Sequence, residues 1–161
     1  MKRALMTILL PFALAACGSA ASGYGSGAAP SSQSGPATIS VQGSSLGQIL
    51  VDRNGKTLYL FEADTSSQST CSGACAQAWP PLTTNGAPNA AGGASASLLG
   101  TTARSDGTTQ VTYSGHPLYS FTGDTKPGDT NGEGSTAFGA GWDVLSATGT
   151  KIEKSGSSAS Y

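Results

Sequence analysis

Leu58-Tyr59-Leu60-Phe61-Glu62-Ala63-Asp64 and Leu118-Tyr119-Ser120-Phe121-Thr122-Gly123-Asp124 are two copies of one pattern, Leu-Tyr-x-Phe-x-x-Asp. Setting the chain against itself at an offset of 60 also places Val51 on Val111, Gly55 on Gly115 and Thr65 on Thr125, seven identities over positions 51–65. Further on, Trp79-x-x-Leu82 matches Trp142-x-x-Leu145 at an offset of 63, as a loop of slightly different length produces. Self-similarity at a fixed period marks a repeat architecture. The chain is therefore read as a duplicated unit.

Each copy carries a hairpin signal ahead of the pattern. In the first, Ile49-Leu50-Val51 leads through Asp52-Arg53-Asn54-Gly55-Lys56 into Thr57–Phe61, and Asn-Gly between β-rich runs favours a tight turn. In the second, Gln110–Tyr113 leads through Ser114-Gly115-His116-Pro117 into Leu118–Phe121. Alternate residues of a strand share a face, so Tyr59 and Phe61 point one way, Leu58 and Leu60 the other. Helical pattern is confined to Ser72–Trp79, stopped by Pro80-Pro81. The expected fold is mainly β: two pseudo-repeated antiparallel β units packed through their aromatic faces, with at most one short helical turn. Tyr59, Phe61, Trp79, Tyr119, Phe121 and Trp142 are expected to form the core, because so small a domain has few other large apolar residues.

Working outward, residues 38–154 form the duplicated domain, with repeat one at about 38–97 and repeat two at about 98–154. Residues 17–37 are nearly free of large apolar side chains and carry no charge, which suits a flexible Gly/Ser/Ala tether reaching about 25 Å. Residues 155–161 are a tail of the same kind. Lys2 and Arg3 followed by the apolar run Ala4–Leu14 have signal-peptide geometry, too short to span a bilayer as a helix. Net charge is −1, and without Lys2 and Arg3 six basic residues face nine acidic ones. That balance lacks the basic surplus that nucleic-acid binding needs.

The segment Leu14-Ala15-Ala16-Cys17 resembles the lipobox of bacterial lipoprotein signals. The resemblance implies cleavage after residue 16 and acylation of Cys17 (palmitate among the chains), hence stable anchoring to a membrane outside the cytoplasm. Gly18 after the cysteine favours the outer membrane in an organism that has one. The doubled Tyr-x-Phe-x-x-Asp pattern resembles the secreted-repeat bacterial lipoproteins with a Y-x-[FWY]-x-x-D motif. Cys71, Cys75, Trp79-Pro80-Pro81, Arg104-x-Asp106-Gly107, Gln110, the Gly115–Tyr119 run and Gly128-Asp129-x-x-Gly132-x-Gly134 belong to the same likeness. It implies a location and a repeat fold, and no established activity.

Several residues could carry chemistry. Cys71 and Cys75 are two nearby thiols outside the cytoplasm, where oxidation is favoured. Their spacing admits a disulfide if Cys71 stands just before the helical turn; a redox pair or a thiol–metal site is the alternative. Asp64 and Asp124 suit caps of the turns that follow them, or pseudo-symmetric ligands for one cation. Asp129-x-Asn131-x-Glu133-Gly134 has the oxygen spacing of the first half of a calcium loop, yet position twelve is Ala140 instead of an acid. His116, the sole histidine, is an exposed turn residue or an axial ligand to haem or copper.

Gly43-Ser44-Ser45-Leu46-Gly47 fits G-x-S-x-G without the strand–helix context a nucleophile elbow requires. Gly55-Lys56-Thr57 lacks the earlier glycine of a P-loop. No catalytic constellation is readable. The expectation is a lipid-anchored, non-enzymatic binding or structural module of the envelope that needs no cofactor, its partner an envelope component, a protein or a small ligand. An envelope redox or metal-handling protein, using calcium, haem or copper, is the alternative.

Overall fold

The computed structural model describes residues 35–152. The signal segment, Cys17 and nearly all of the tether and tail lie outside them. Strand β1 (Thr38–Ser44) and β2 (Gly47–Asp52) form an antiparallel hairpin with Ile39 opposite Asp52 and Ser44 opposite Gly47. Its turn is the G-x-S-x-G stretch, held by the Ser44 hydroxyl, which accepts from the Leu46 amide at 3.1 Å and donates to the Gly47 carbonyl at 3.0 Å. After β2 the chain reverses around Asp52, whose carboxylate accepts the amides of Asn54 at 2.8 Å and Lys56 at 2.9 Å.

The strand that follows does not stay with β2. After one bridge, Val51 to Thr57, it becomes β3 (Tyr59–Phe61) and pairs with β8 (Trp142–Leu145) from the other repeat. Strand β9 (Lys151–Ile152) completes that sheet on the far edge of β8. Helix α1 (Ala74–Ala78) falls within the expected Ser72–Trp79 window and ends before Pro80. Strand β4 (Asn89–Ala90) lies parallel on β1, the one parallel pair among the described strands. The third sheet is β5 (Leu99–Ala103), β6 (Thr109–Tyr113) and β7 (His116–Pro117), in that order.

The molecule is thus mainly β, with two repeat-like units in three small sheets, and it refines the expectation of two units packed face to face. The middle sheet takes β3 from the first repeat and β8 and β9 from the second. A second refinement concerns the repeat alignment. Leu58 donates its amide to the Leu50 carbonyl, whereas Leu118 donates to Val111, so the first turn is one residue longer and Leu50, not Val51, is the structural counterpart of Val111.

Strand β3 divides the interior. Leu58 and Leu60 join an aliphatic cluster with Ile39, Leu50, Leu82, Val111, Leu118 and Leu145. Tyr59 and Phe61 join an aromatic one with Trp79, Tyr119, Trp142, Val144 and both cysteines. The period-two alternation of one short strand therefore supplies both cores.

Candidate functional site

The two motif tyrosines meet at the centre. Tyr59 and Tyr119 exchange backbone hydrogen bonds, amide to carbonyl, at 2.8 and 3.0 Å, an isolated antiparallel bridge between the repeats. Their hydroxyls then cross over: Tyr59 donates to Asp124 at 2.7 Å and Tyr119 to Asp64 at 2.5 Å. Each aspartate also closes the loop behind it. Asp64 accepts the Thr70 amide and hydroxyl at 2.7 and 2.6 Å, and Asp124 accepts the Asn131 amide at 2.9 Å. The turn-capping role expected of these aspartates is present, together with the cross-repeat bond that spacing alone does not reveal. Burial, reinforced by the carboxylate each one faces, pushes both phenols well above the usual tyrosine range. Burial also raises the Asp124 carboxyl.

The rings follow the same exchange. Phe61 stacks on Trp142 at 4.2 Å, Trp142 on Trp79 at 3.9 Å, and Trp79 on Phe121 at 4.3 Å. Each repeat's phenylalanine therefore lies on the other repeat's tryptophan. Tyr59 meets Trp79 edge-on at 5.3 Å and Tyr119 meets Trp142 likewise at 5.2 Å, geometries that aromatic quadrupoles favour. Five of these six aromatics are buried and Phe121, at the end of the stack, is half-buried. Gly132 lies under Trp79, where a Cβ would come within 2.6 Å of the indole.

One flank has an added polar network. The buried Arg104 guanidinium donates to Gln110 at 2.7 Å, to Ser69 at 2.6 Å and to the Cys71 carbonyl at 2.8 Å. Ser69 in turn donates its hydroxyl to the Tyr119 oxygen at 2.7 Å, since the one phenol proton goes to Asp64, so Arg104 reaches the tyrosine–aspartate pair through one hydroxyl. Asp106, beside Arg104, is held at about 2 chiefly by the Thr108 hydroxyl and amide. Cys71 and Cys75 form a disulfide, with Cys71 just before α1 and a Cα separation of 5.3 Å. A loop this short confines the unfolded chain only modestly, so a Cys71→Ser/Cys75→Ser variant is expected to lose about 2 kcal/mol. Chemical denaturation of the variant beside wild-type protein checks this; a loss above about 4 kcal/mol would mean the bridge does more than close a loop.

The calcium-like residues point to separate partners. Asp129 accepts the amides of Thr125 and Lys126, which hold its carboxyl below the usual range, Lys126 foremost. Asn131 donates to the Gly123 carbonyl at 3.2 Å, and the buried Glu133 accepts the Val144 amide at 2.8 Å. Among the described residues no three His, Cys, Asp or Glu side chains gather as a metal-binding group.

Beside the end of β3 an open cleft of about 330 Å³ is lined by Leu60, Phe61, Glu62, Asp64, Thr65, His116 and Lys151. Lys151 and Glu62 form an ion pair at 2.9 Å, both about two-fifths exposed, and this contact holds the Glu62 carboxyl low. His116 is half-buried at the start of β7. The cleft draws on three segments far apart in sequence, so neither Glu62 nor Lys151 announces itself there. Ser69 is equally unmarked in the sequence, since its bond to Tyr119 spans 50 residues and leaves no local signature.

Two β repeats locked together through exchanged tyrosines, aspartates and aromatic rings define a tandem-repeat domain. The chain belongs to the Lipoprotein_15 family, a secreted repeat of unknown function, which matches residues 40–83 and again residues 100–146. Comparison with curated proteins and with solved structures found no match. A family of secreted repeats puts the domain outside the cytoplasm. Among the described residues no helix is long and apolar enough to cross a membrane.

Proposed function

We propose that the protein is a lipid-anchored extracytoplasmic binding module without catalytic activity, held to a membrane through Cys17 and offering the cleft beside β3 to its ligand. One observation carries this reading: both motif tyrosines and both motif aspartates bond to each other and to their own loops. The groups best suited to chemistry hold the fold, which leaves recognition to the surface they organise. The uncharged segment after Cys17 would let the domain stand off the bilayer, and acyl chains on that cysteine would supply stable attachment.

Fractionation of cells producing the full chain tests the anchor. Wild-type protein is expected in the detergent-soluble membrane fraction and the Cys17→Ser variant in the aqueous one. A variant that stays with the membrane to the same extent would remove the anchor from the proposal.

A further inference from the structure

The internal symmetry compares the cleft with its counterpart in the other repeat. Lys56 and His116 hold equivalent places, each directly after the turn glycine, Gly55 or Gly115, both of which have positive φ. Lys56 sends its ammonium to the backbone carbonyl of Asp124, the second motif aspartate, at 3.3 Å. The ammonium sits on that backbone oxygen, while the buried Asp124 carboxylate takes neutral donors, Tyr59 and the Asn131 amide. At the first motif aspartate the arrangement differs. The buried Asp64 carboxylate likewise takes only neutral donors, Thr70 and Tyr119. Yet the position of Lys56 is filled by the shorter His116, and among the described residues no hydrogen bond reaches the Asp64 carbonyl. Arg104 communicates with Asp64 only through Ser69 and Tyr119, and Lys151 is paired with Glu62. The cleft lies beside Asp64 and His116, where the equivalent place beside Asp124 is filled by Lys56.

We propose that this cleft is a receptor for a primary ammonium group on an alkyl stem, seated as the Lys56 ammonium is seated in the other repeat. The Asp64 carbonyl and the Glu62 carboxylate would accept its N–H bonds, and Leu60 and Phe61 would contact the methylenes. The inference rests on the reading of the domain as a binding module but not on the Cys17 anchor. The ammonium can come from a free amine or from a lysyl side chain.

The test is an amide NMR titration of purified protein with n-butylammonium chloride, with terminally blocked lysine and with its Nζ-acetyl form, against sodium chloride at equal ionic strength. Saturable shifts centred on Glu62, Thr65 and His116 are expected with the ammonium probes and not with acetyl-lysine. A response to butylammonium alone points to free amines, and one to blocked lysine alone points to lysyl side chains. His116→Lys, which copies Lys56 of the first repeat, is expected to fill the cleft from within, weaken the response at least tenfold and raise the melting temperature. Lys56→Ala should open a second site, reported by new shifts at Thr125. Shifts matched by sodium chloride, an undiminished response in His116→Lys, or none at Thr125 in Lys56→Ala would overturn the inference. Membrane release of Cys17→Ser is read separately, so an anchored protein that ignores amines refutes the receptor alone.

Discussion

Trp142→Ala is expected to destabilise the domain by about 3–5 kcal/mol, the range for removing a fully buried aromatic side chain. The ring is fully buried, sandwiched between Phe61 at 4.2 Å and Trp79 at 3.9 Å, and met edge-on by Tyr119. Its indole N–H donates to the Ala137 carbonyl at 2.9 Å. Truncation empties the centre of a four-ring stack and leaves that carbonyl without its donor. Domains of this size are stable by only about 5–15 kcal/mol, so much of the folded population is at stake. Phe121→Ala at the half-buried end of the same stack is the internal control and should cost distinctly less. Guanidinium unfolding monitored by circular dichroism gives both values. Equal losses would mean that burial in the stack does not set the energetics.

The second large effect is alkaline. The Tyr59 and Tyr119 phenols are raised above their ordinary value of 10.0, first by burial and then by the carboxylates they face. In the unfolded chain a phenol ionises near pH 10. Between that value and the higher folded one, the unfolded state binds fewer protons than the native state. The stability these groups confer is therefore whole below about pH 10 and is lost as the pH climbs beyond it. The domain is expected to unfold cooperatively in this window, with the two phenols ionising only as it does so. Ultraviolet difference absorbance and circular dichroism recorded on one sample would follow the two events together. Ionisation of all five tyrosines in an intact fold would contradict the buried tyrosine–aspartate bonds. Tyr59→Phe and Tyr119→Phe should each cost about 1.5–3 kcal/mol at neutral pH, the scale of a hydrogen bond to a charged group. The double variant should lose most of the alkaline slope.

Much of this was open to reading from residues. The repeat was visible because its identities are dense, and the two faces of β3 followed from alternation in Leu58–Phe61. The short helix was bounded by Pro80-Pro81, and the cysteine bridge followed from spacing and compartment. What stayed hidden was the exchange between repeats. Tyr59 could equally have bonded Asp64 of its own unit, and choosing Asp124 depends on β3 leaving β2 for β8, a tertiary preference with no local code. The G-x-S-x-G stretch is a β-hairpin turn and not an elbow, and its pairing is not legible in sequence because serine and glycine there mark only a turn. Lys56 and His116 were aligned by the offset itself. Their difference acquired meaning only once the ammonium was seen on a carbonyl.

The exchanged pairing also governs how the chain can fold. Tyr59, Phe61 and Trp79 find partners from 42 to 81 residues downstream, in Tyr119, Asp124, Phe121 and Trp142. A first repeat emerging alone from an export channel has no ring to stack on and no carboxylate for its phenol. Loop-closure entropy is met before any of these contacts forms, the condition under which folding is slow and governed by topology. Neither half alone can complete the ring stack or the tyrosine–aspartate pairs. Assembly is therefore expected to wait for the last strands, as in an obligate dimer whose two subunits share one backbone.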